Sequence, residues 1–600
     1  MTIQRSLRLS AARRNTLAAC LAAALAAGGA GATGSKYHSA DAYRASSDGT
    51  IFGALRMASA DHTKIAPSDA GMWPALDLPT RPADTIIVTN CSDHDPGSLR
   101  DAFATAQGGG VSVIDLTTLQ CPDSTITLTT GAISTAQSLI VMGPGQDVLA
   151  IDGSNNDRVF ISTSGLAIYD LTIAHGVDDQ GLGGCVYTNG MLHLLRATVT
   201  GCQAGDGSNY HGYGGGAVAG GGLFMQQSTI TNNTALAAGV AKGGGAWAAA
   251  EVIIEQSTIA ENNLVSTIHA KGGGIFASNG ATISDSQVLN NAIESDAGHA
   301  QGGGIFVSGG DASVTNSIIS GNGAHSQASV ALGGGMRGGN IELIGSTVDS
   351  NDVASGCNAC PVLGGGAVGI GQILALSSTV SGNRALSAPG SAGTAAGGGL
   401  ATGVPGNAGQ IGLLNSTVSG NQAIGGGNGG AGFGGGMAGF YGSPVVAFNS
   451  TIAFNAASDF AGGFVGDETY APQLNSTIVA NNQAQGLAND ISPRNPSDSV
   501  TITGSNNLVK AVGAGISFTA EPLHSDPQLL PLAPNGGPTK THAFGGVSPA
   551  IDAGNNIAAL PYDQRGCPYA RVVGAAADIG SFEVADHLFG DGFDGEPVCP

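Results

Sequence analysis

The stretch "GGGIFASNGATISDSQVLNN" at residues 272–291 is followed by "GGGIFVSGGDASVTNSIISGN" at residues 302–322. Each copy opens on a glycine triplet with an apolar pair, passes through a Ser-x-Ile/Val step and closes on asparagine. With the serine of each step as origin, the chain offers Ser228, Ser257, Ser286, Ser317, Ser346, Ser378, Ser416, Ser450 and Ser476, spaced by 29, 29, 31, 29, 32, 38, 34 and 26 residues. Two residues on stand Ile230, Ile259, Val288, Ile319, Val348, Val380, Val418, Ile452 and Ile478, all β-branched. Five residues on stand Asn233, Asn262, Asn291, Asn322, Asn351, Asn383, Asn421, Asn455 and Asn481. Glycine triplets precede most units, starting at Gly214, Gly243, Gly272, Gly302, Gly333, Gly364, Gly397 and Gly434, and degraded units at residues 171 and 197 extend the series backwards.

A period near 30 residues with short β-branched runs and no helical periodicity makes each unit one supersecondary turn. The glycine triplets exclude a helical solenoid. Apolar residues recur three before the origin (Met225, Ile254, Ile283) and two after it. That odd separation would send them to opposite faces of one straight strand, so the chain turns a corner between them. The expected fold is all-β: a right-handed parallel β-helix of strands about five residues long, each paired with its equivalent one coil on, the hand following the crossover rule. The asparagines then form a structural ladder at a corner, where this residue tolerates left-handed geometry.

Composition narrows the function. Charged residues are 11% of the chain and the net charge is −22, which opposes binding to nucleic acid or anionic lipid. The start "MTIQRSLRLSAARRNTLAACLAAALAAGGAGA" has a basic region, an apolar run and small residues for cleavage, so residues 1–32 read as an export signal. Arg13-Arg14 hints at a twin-arginine route, and "LAAC" superficially resembles a lipoprotein box. No later segment is apolar for about 20 residues, so no transmembrane helix is expected. Beyond Cys20 eight cysteines remain, which in an oxidising compartment favours disulfides. The pairs expected are Cys91 with Cys121, Cys185 with Cys202, Cys357 with Cys360, and Cys567 with Cys599. "CNAC" at 357–360 also has a redox or half-zinc spacing, but lacks a second such pair.

Both raw ends of a solenoid need covers. At the front, "CSDHDPGSLRDA" (91–102) runs into the one plausible amphipathic helix, Ser98 to Ala106. It resembles the opening of bacterial right-handed parallel β-helix proteins with the pattern C-x-D-x-x-P-G-S-L-R-x-A. At the back, "SDPQLLPLAPNGGPTKTHAFGGVSPAIDAGN", "DQRGCP" and "GAAADIGSFE" resemble the choice-of-anchor Q module, and the repeats are similar to those of polymorphic outer-membrane proteins and other adhesins. The resemblance implies an exported surface or secreted β-helix, without a characterised activity. The resulting division is signal 1–32, linker 33–84, N-terminal cap and first coils 85–165, repeats 166–510, anchor-like module 511–584 and acidic tail 585–600.

Catalysis needs convergent groups. A polysaccharide lyase requires a base and cations beside a uronate carboxylate, and an inverting hydrolase a carboxyl pair around a water. The candidates are His175 with Asp178 and Asp179, a cluster that would also suit calcium, and Lys242 with Lys271, one coil apart. The alternatives are a loop role for the first set and solvated edge lysines for the second. His211, His269, His299 and His325 fall at irregular offsets, so no metal site is expected, and no cofactor is required. Trp247 falls where other coils carry Phe276 or Phe306, a packing position rather than a sugar platform. The reading is a non-catalytic adhesion or structural protein that binds glycan or protein through a solenoid face, with no oligomer expected; the alternative is a lyase or hydrolase of acidic polysaccharide. The expanded coils near 346–436 are expected to carry a protruding loop face, from which 385–396 could be deleted without loss of fold.

Overall fold

The computed structural model describes residues 85–584, apart from 108–112, 404–407, 467–469, 486 and 496. The segments read as signal, linker and acidic tail lie outside the described residues, as does Cys599. Among the described residues no helix is long and apolar enough to cross a membrane.

Five strands make one coil, shown by Leu223–Gln226, Thr229–Thr231, Thr234–Ala237, Val240–Lys242 and Ala246–Ala248. Stacked coil on coil, they build sheets of 14, 14, 12, 8 and 13 strands, here sheets 1 to 5 in chain order. Pairing is parallel and in register: Thr229 with Thr258, Ile230 with Ile259, Thr231 with Ala260. Strands are mostly three or four residues long, shorter than the spacing of apolar residues suggested.

Met225 and Ile230 both face the core because Gln227 between them takes a left-handed φ of 49°. Sheets 1, 2 and 5 enclose the main core, a body filled by columns such as Ile230, Ile259 and Val288. Sheets 3 and 4 leave this body as a thin two-layered arm with its own core of Ala235, Leu264 and Ile293 against Ala241, Ala270 and Ala300.

The asparagines stand at the junction of arm and body. Asn262 Oδ1 accepts from both the backbone N and Nδ2 of Asn233, while Asn262 Nδ2 donates to Ile230 O and Asn291 Oδ1. This repeats through Asn291, Asn322, Asn351, Asn383, Asn421 and Asn455. The next rung is Asn482, not Asn481. The last coil is one residue out of the serine frame, Thr451 pairing with Ile478, so Thr477 takes the place of Ser450. Asn481 is a corner residue at φ 61° whose side chain accepts from Lys510. Left-handed geometry thus belongs to the residue before each rung, such as Asn232 or Glu261, because the rung itself points inward. The ladder starts at Cys202 N, which donates to Asn233, and ends at Asp490, which accepts from Asn482.

The glycine triplet makes the same junction fit. Gly243 has φ 67°, a Cβ on Gly244 would lie 2.2 Å from Gly273 O, and one on Gly245 would lie 2.9 Å from the Asn262 side chain. Each position excludes a side chain for a different reason.

The helix α1 (Leu99–Ala106) covers the front, with Ser98 as N-cap and Leu99, Ala102, Phe103 and Ala106 buried. The Cys91–Cys121, Cys185–Cys202 and Cys357–Cys360 disulfides are formed. The back of the core is closed by residues 500–518, whose Ile502, Val509, Ile516 and Phe518 join it. Residues 539–582 instead run back along the flank: Thr417 Oγ1 donates to Gln564, His542 Nε2 meets Ser419, and Ala558 and Leu560 pack on Leu374, Leu414 and Phe448.

Candidate functional site

Two outward columns face each other where the arm bends from the body. Sheet 4 contributes Tyr213, Lys242, Lys271, Gln301, Leu332 and Leu363, and sheet 5 contributes Trp247, Phe276, Phe306, Arg337, Val368 and Ala401. Both follow from strand alternation: in Ala246–Trp247–Ala248 the alanines point into the body and the tryptophan points out. The groove between them changes character along its length. From Leu363 onward it is closed and apolar, Leu363 packing on Val368 and Ala396 on Ala401.

The other half is aromatic and cationic. Tyr213, Trp247, Phe276 and Phe306 stack in series, with centroids 5.7, 6.5 and 5.2 Å apart and planes within 20°. Their faces are therefore taken up by each other and by neighbouring cations, which removes the flat platform that sugar stacking needs. Lys242 Nζ lies 5.0 Å from the Tyr213 centroid and 4.9 Å from that of Phe276, and Lys271 Nζ lies 5.2 Å from that of Phe306. The Arg337 guanidinium is 4.9 Å from the Phe306 centroid. Lys242 and Lys271 are register partners one coil apart, half-buried against rings rather than solvated on an edge.

Burial, together with Arg337 and Lys242, brings Lys271 down to about 8. Burial takes Arg337 down to about 10, so its guanidinium stays charged at neutral pH. His269 and His299 stack at 4.9 Å beside this row, and His299 falls to about 4 through burial and the neighbouring His269, Lys271 and Arg337. Arg337 is fully buried, and its Nε, Nη1 and Nη2 have no hydrogen-bond partner; Trp247 Nε1 has none either.

The carboxylate cluster does not converge. His175 Nδ1 meets Asp152 at 2.9 Å, whereas Asp178 is paired with Arg158 at 2.5 Å and accepts from the backbone N of Gln180 and Leu182. Asp179 is exposed and its carbonyl accepts from Asn209. Asp178 therefore shapes its own loop. Among the described residues no group of three or more His, Cys, Asp or Glu is placed to hold a metal ion.

Sequence reasoning set Lys242 and Lys271 one coil apart and Trp247 level with Phe276 and Phe306, but missed that these two columns face each other across a groove. Counted from the glycine triplet, Lys242, Lys271, Gln301 and Leu332 all fall one residue before, and Trp247, Phe276, Phe306 and Arg337 four after its first glycine. His211, His269 and His299 all fall three before, and their apparent irregularity is only the variable length of the arm loop.

No family model matches this chain, and no curated protein matches it. The resemblance to choice-of-anchor Q and adhesin repeats therefore rests on the chain's own motifs. Among solved structures, the crystal structure of pectate lyase Pel9A is similar at 13% identity and a TM-score of 0.25, over 84% of this chain and 97% of that one. No residue role is carried over from it.

Proposed function

We propose that this is an exported surface or secreted right-handed β-helix that binds a glycan or a protein partner through the groove between arm and body, without catalysing a reaction. The observation that carries it is the row of Lys242, Lys271 and Arg337 over aromatic rings, on a chain whose net charge is −22. Charge of the rarer sign collected in one groove is a binding feature rather than a solubility feature. The export signal and the disulfides support an extracytoplasmic setting.

The test is retention of the purified protein on a glycan panel and on cells. Lys242→Glu combined with Trp247→Ala is expected to abolish retention, while Thr229→Glu, on the outer face of sheet 2, leaves it intact. Equal retention by all three proteins would remove the groove from the function.

One observation favours the second reading, a polysaccharide lyase. Lys271, brought down to about 8 beside Arg337, has the properties of a base next to a charge-stabilising cation. Incubation with acidic and neutral polysaccharides, with and without calcium, would reveal it as unsaturated products that vanish in Lys271→Ala.

A further inference from the structure

We propose that Arg337, with Lys271 and Lys242 leading to it, is a binding site for the carboxylate or sulfate groups of a linear polyanionic chain laid along the groove. The inference rests on the groove reading and specifies its ligand.

The argument starts from a cost. A guanidinium carries five N–H donors, and Arg337 is buried with all three nitrogens unpartnered. Among the described residues, no ion pair involves Arg337, Lys271 or Lys242, although the chain holds 43 acidic side chains against 21 basic. Desolvating an ion costs more than a cation–π contact returns.

Structural glue does not account for that cost, because the same molecule shows how the joint is made without charge. One coil on, Leu363 meets Val368, and one further Ala396 meets Ala401, in the same register with apolar contacts alone. A cation at this position earns retention only if something negative reaches it.

The shape of the site favours a chain over a single ion. Lys242 and Lys271 are stepped by one coil, about 4.8 Å, and Arg337 lies two coils beyond Lys271 on the facing sheet. Burial rises in that direction: Lys242, Lys271 and Trp247 are partly exposed, while Phe306 and Arg337 are fully buried. Trp247 Nε1 adds an unpartnered donor to the same wall.

The test uses the full chain with Trp73→Phe, which leaves Trp247 as the one tryptophan of the two. Its fluorescence is followed on titration with dextran sulfate, polygalacturonate, neutral dextran and inorganic sulfate, and melting is measured for each protein. Both polyanions are expected to give a saturable shift and neutral dextran none. Arg337→Met and Lys271→Ala are each expected to weaken binding by about tenfold or more, the loss of a charged hydrogen bond. Arg337→Met, which removes an unpaired buried charge, is expected to melt no lower than its parent. Binding of neutral dextran would overturn the anionic ligand while sparing the groove reading. Inorganic sulfate saturating as tightly as the polymers would reduce the site to a small-ion site and overturn the chain. Unaltered binding in Arg337→Met, or a lower melting temperature, would make the arginine structural. Silence from every probe in a folded protein would overturn the proposal, with retention on the glycan panel still deciding the groove reading.

Discussion

Asn322 sits in the middle of the ladder, where its Oδ1 accepts two hydrogen bonds from Asn291 and its Nδ2 donates to Val288 O and Asn351. Asn322→Ala strands two buried donors of Asn291 at once. At 1–3 kcal/mol per orphaned group the expected loss is about 3 kcal/mol, read as a lower denaturation midpoint at unchanged slope. Asn322→Asp also destabilises, since a carboxylate cannot donate to Val288 O. Lys271 gives the opposite kind of test. Its neighbours in the groove are Lys242, Arg337, His269 and His299, so nothing negative holds its proton. The folded value of about 8 lies below the 10.5 of the unfolded chain. The ligand-free protein therefore gains stability as pH rises from about 8 to 10.5, because burial of the charged ammonium disfavours folding below that window. Affinity for dextran sulfate should run the other way, falling as pH passes 8, and Lys271→Arg should flatten that fall. The ladder was legible because asparagine repeats visibly; its last rung was not, because one inserted residue moved the frame while a second asparagine, Asn481, kept the pattern intact.

The arm is the element that sequence periodicity did not reveal. Its strands carry Ala235, Ala241 and Ala270 inward, and alanine is too small to stand out as a core residue even where it is fully buried. The expectation that 385–396 is a dispensable loop fails for this reason. That span contains most of the strand Arg384–Ser387 and all of Ala395–Ala396, with Ala385 and Ala395 fully buried. Its deletion should lower the thermal midpoint and expose the edges of neighbouring rungs. Exchanging only the exposed Pro389-Gly390 tip for Asn-Gly should keep the stability within about 1 kcal/mol of the parent, since surface positions away from buried groups shift it little. Hydrogen exchange of Val353 and Val362 would separate the two outcomes, both being buried in the arm core.

The two ends of the whole molecule answer acid in opposite senses. At the front, Asp93 accepts from Thr129, Thr130 and Arg100. Burial pushes its carboxyl up, but those hydrogen bonds outweigh it and hold the group at about 2. This stability is complete above pH 3.8 and is lost as pH falls towards 2. At the back, burial lifts Asp490 to about 6 against the hydrogen bonds from Asn482 and Ala511. Its ionisation opposes folding as pH rises from 3.8 to 6, so this end gains stability in mild acid. Hydrogen exchange at pH 3 should therefore open residues 93–130 before the last coils, and Asp93→Asn should bring that opening to neutral pH. Removal of residues 520–584 should bare Leu374, Leu414 and Phe448 and produce dye binding and association without unwinding the front coils.

The sequence alone determined the coil. A repeat near 30 residues with β-branched columns, glycine triplets and asparagines fixes parallel in-register stacking, because only identical residues stacked at the strand spacing satisfy so many equivalent groups at once. Tertiary structure decided what the coil is for. Whether Lys242 faces water or Phe276 depends on the angle at which sheet 4 leaves sheet 5, set by backbone geometry at the triplet and by contacts between residues 34 apart. Neither the angle nor the facing of two columns is written in any one repeat. A buried, unpartnered Arg337 is likewise a property of the stack, since its neighbour Phe306 reaches it only after the coils have closed on one another.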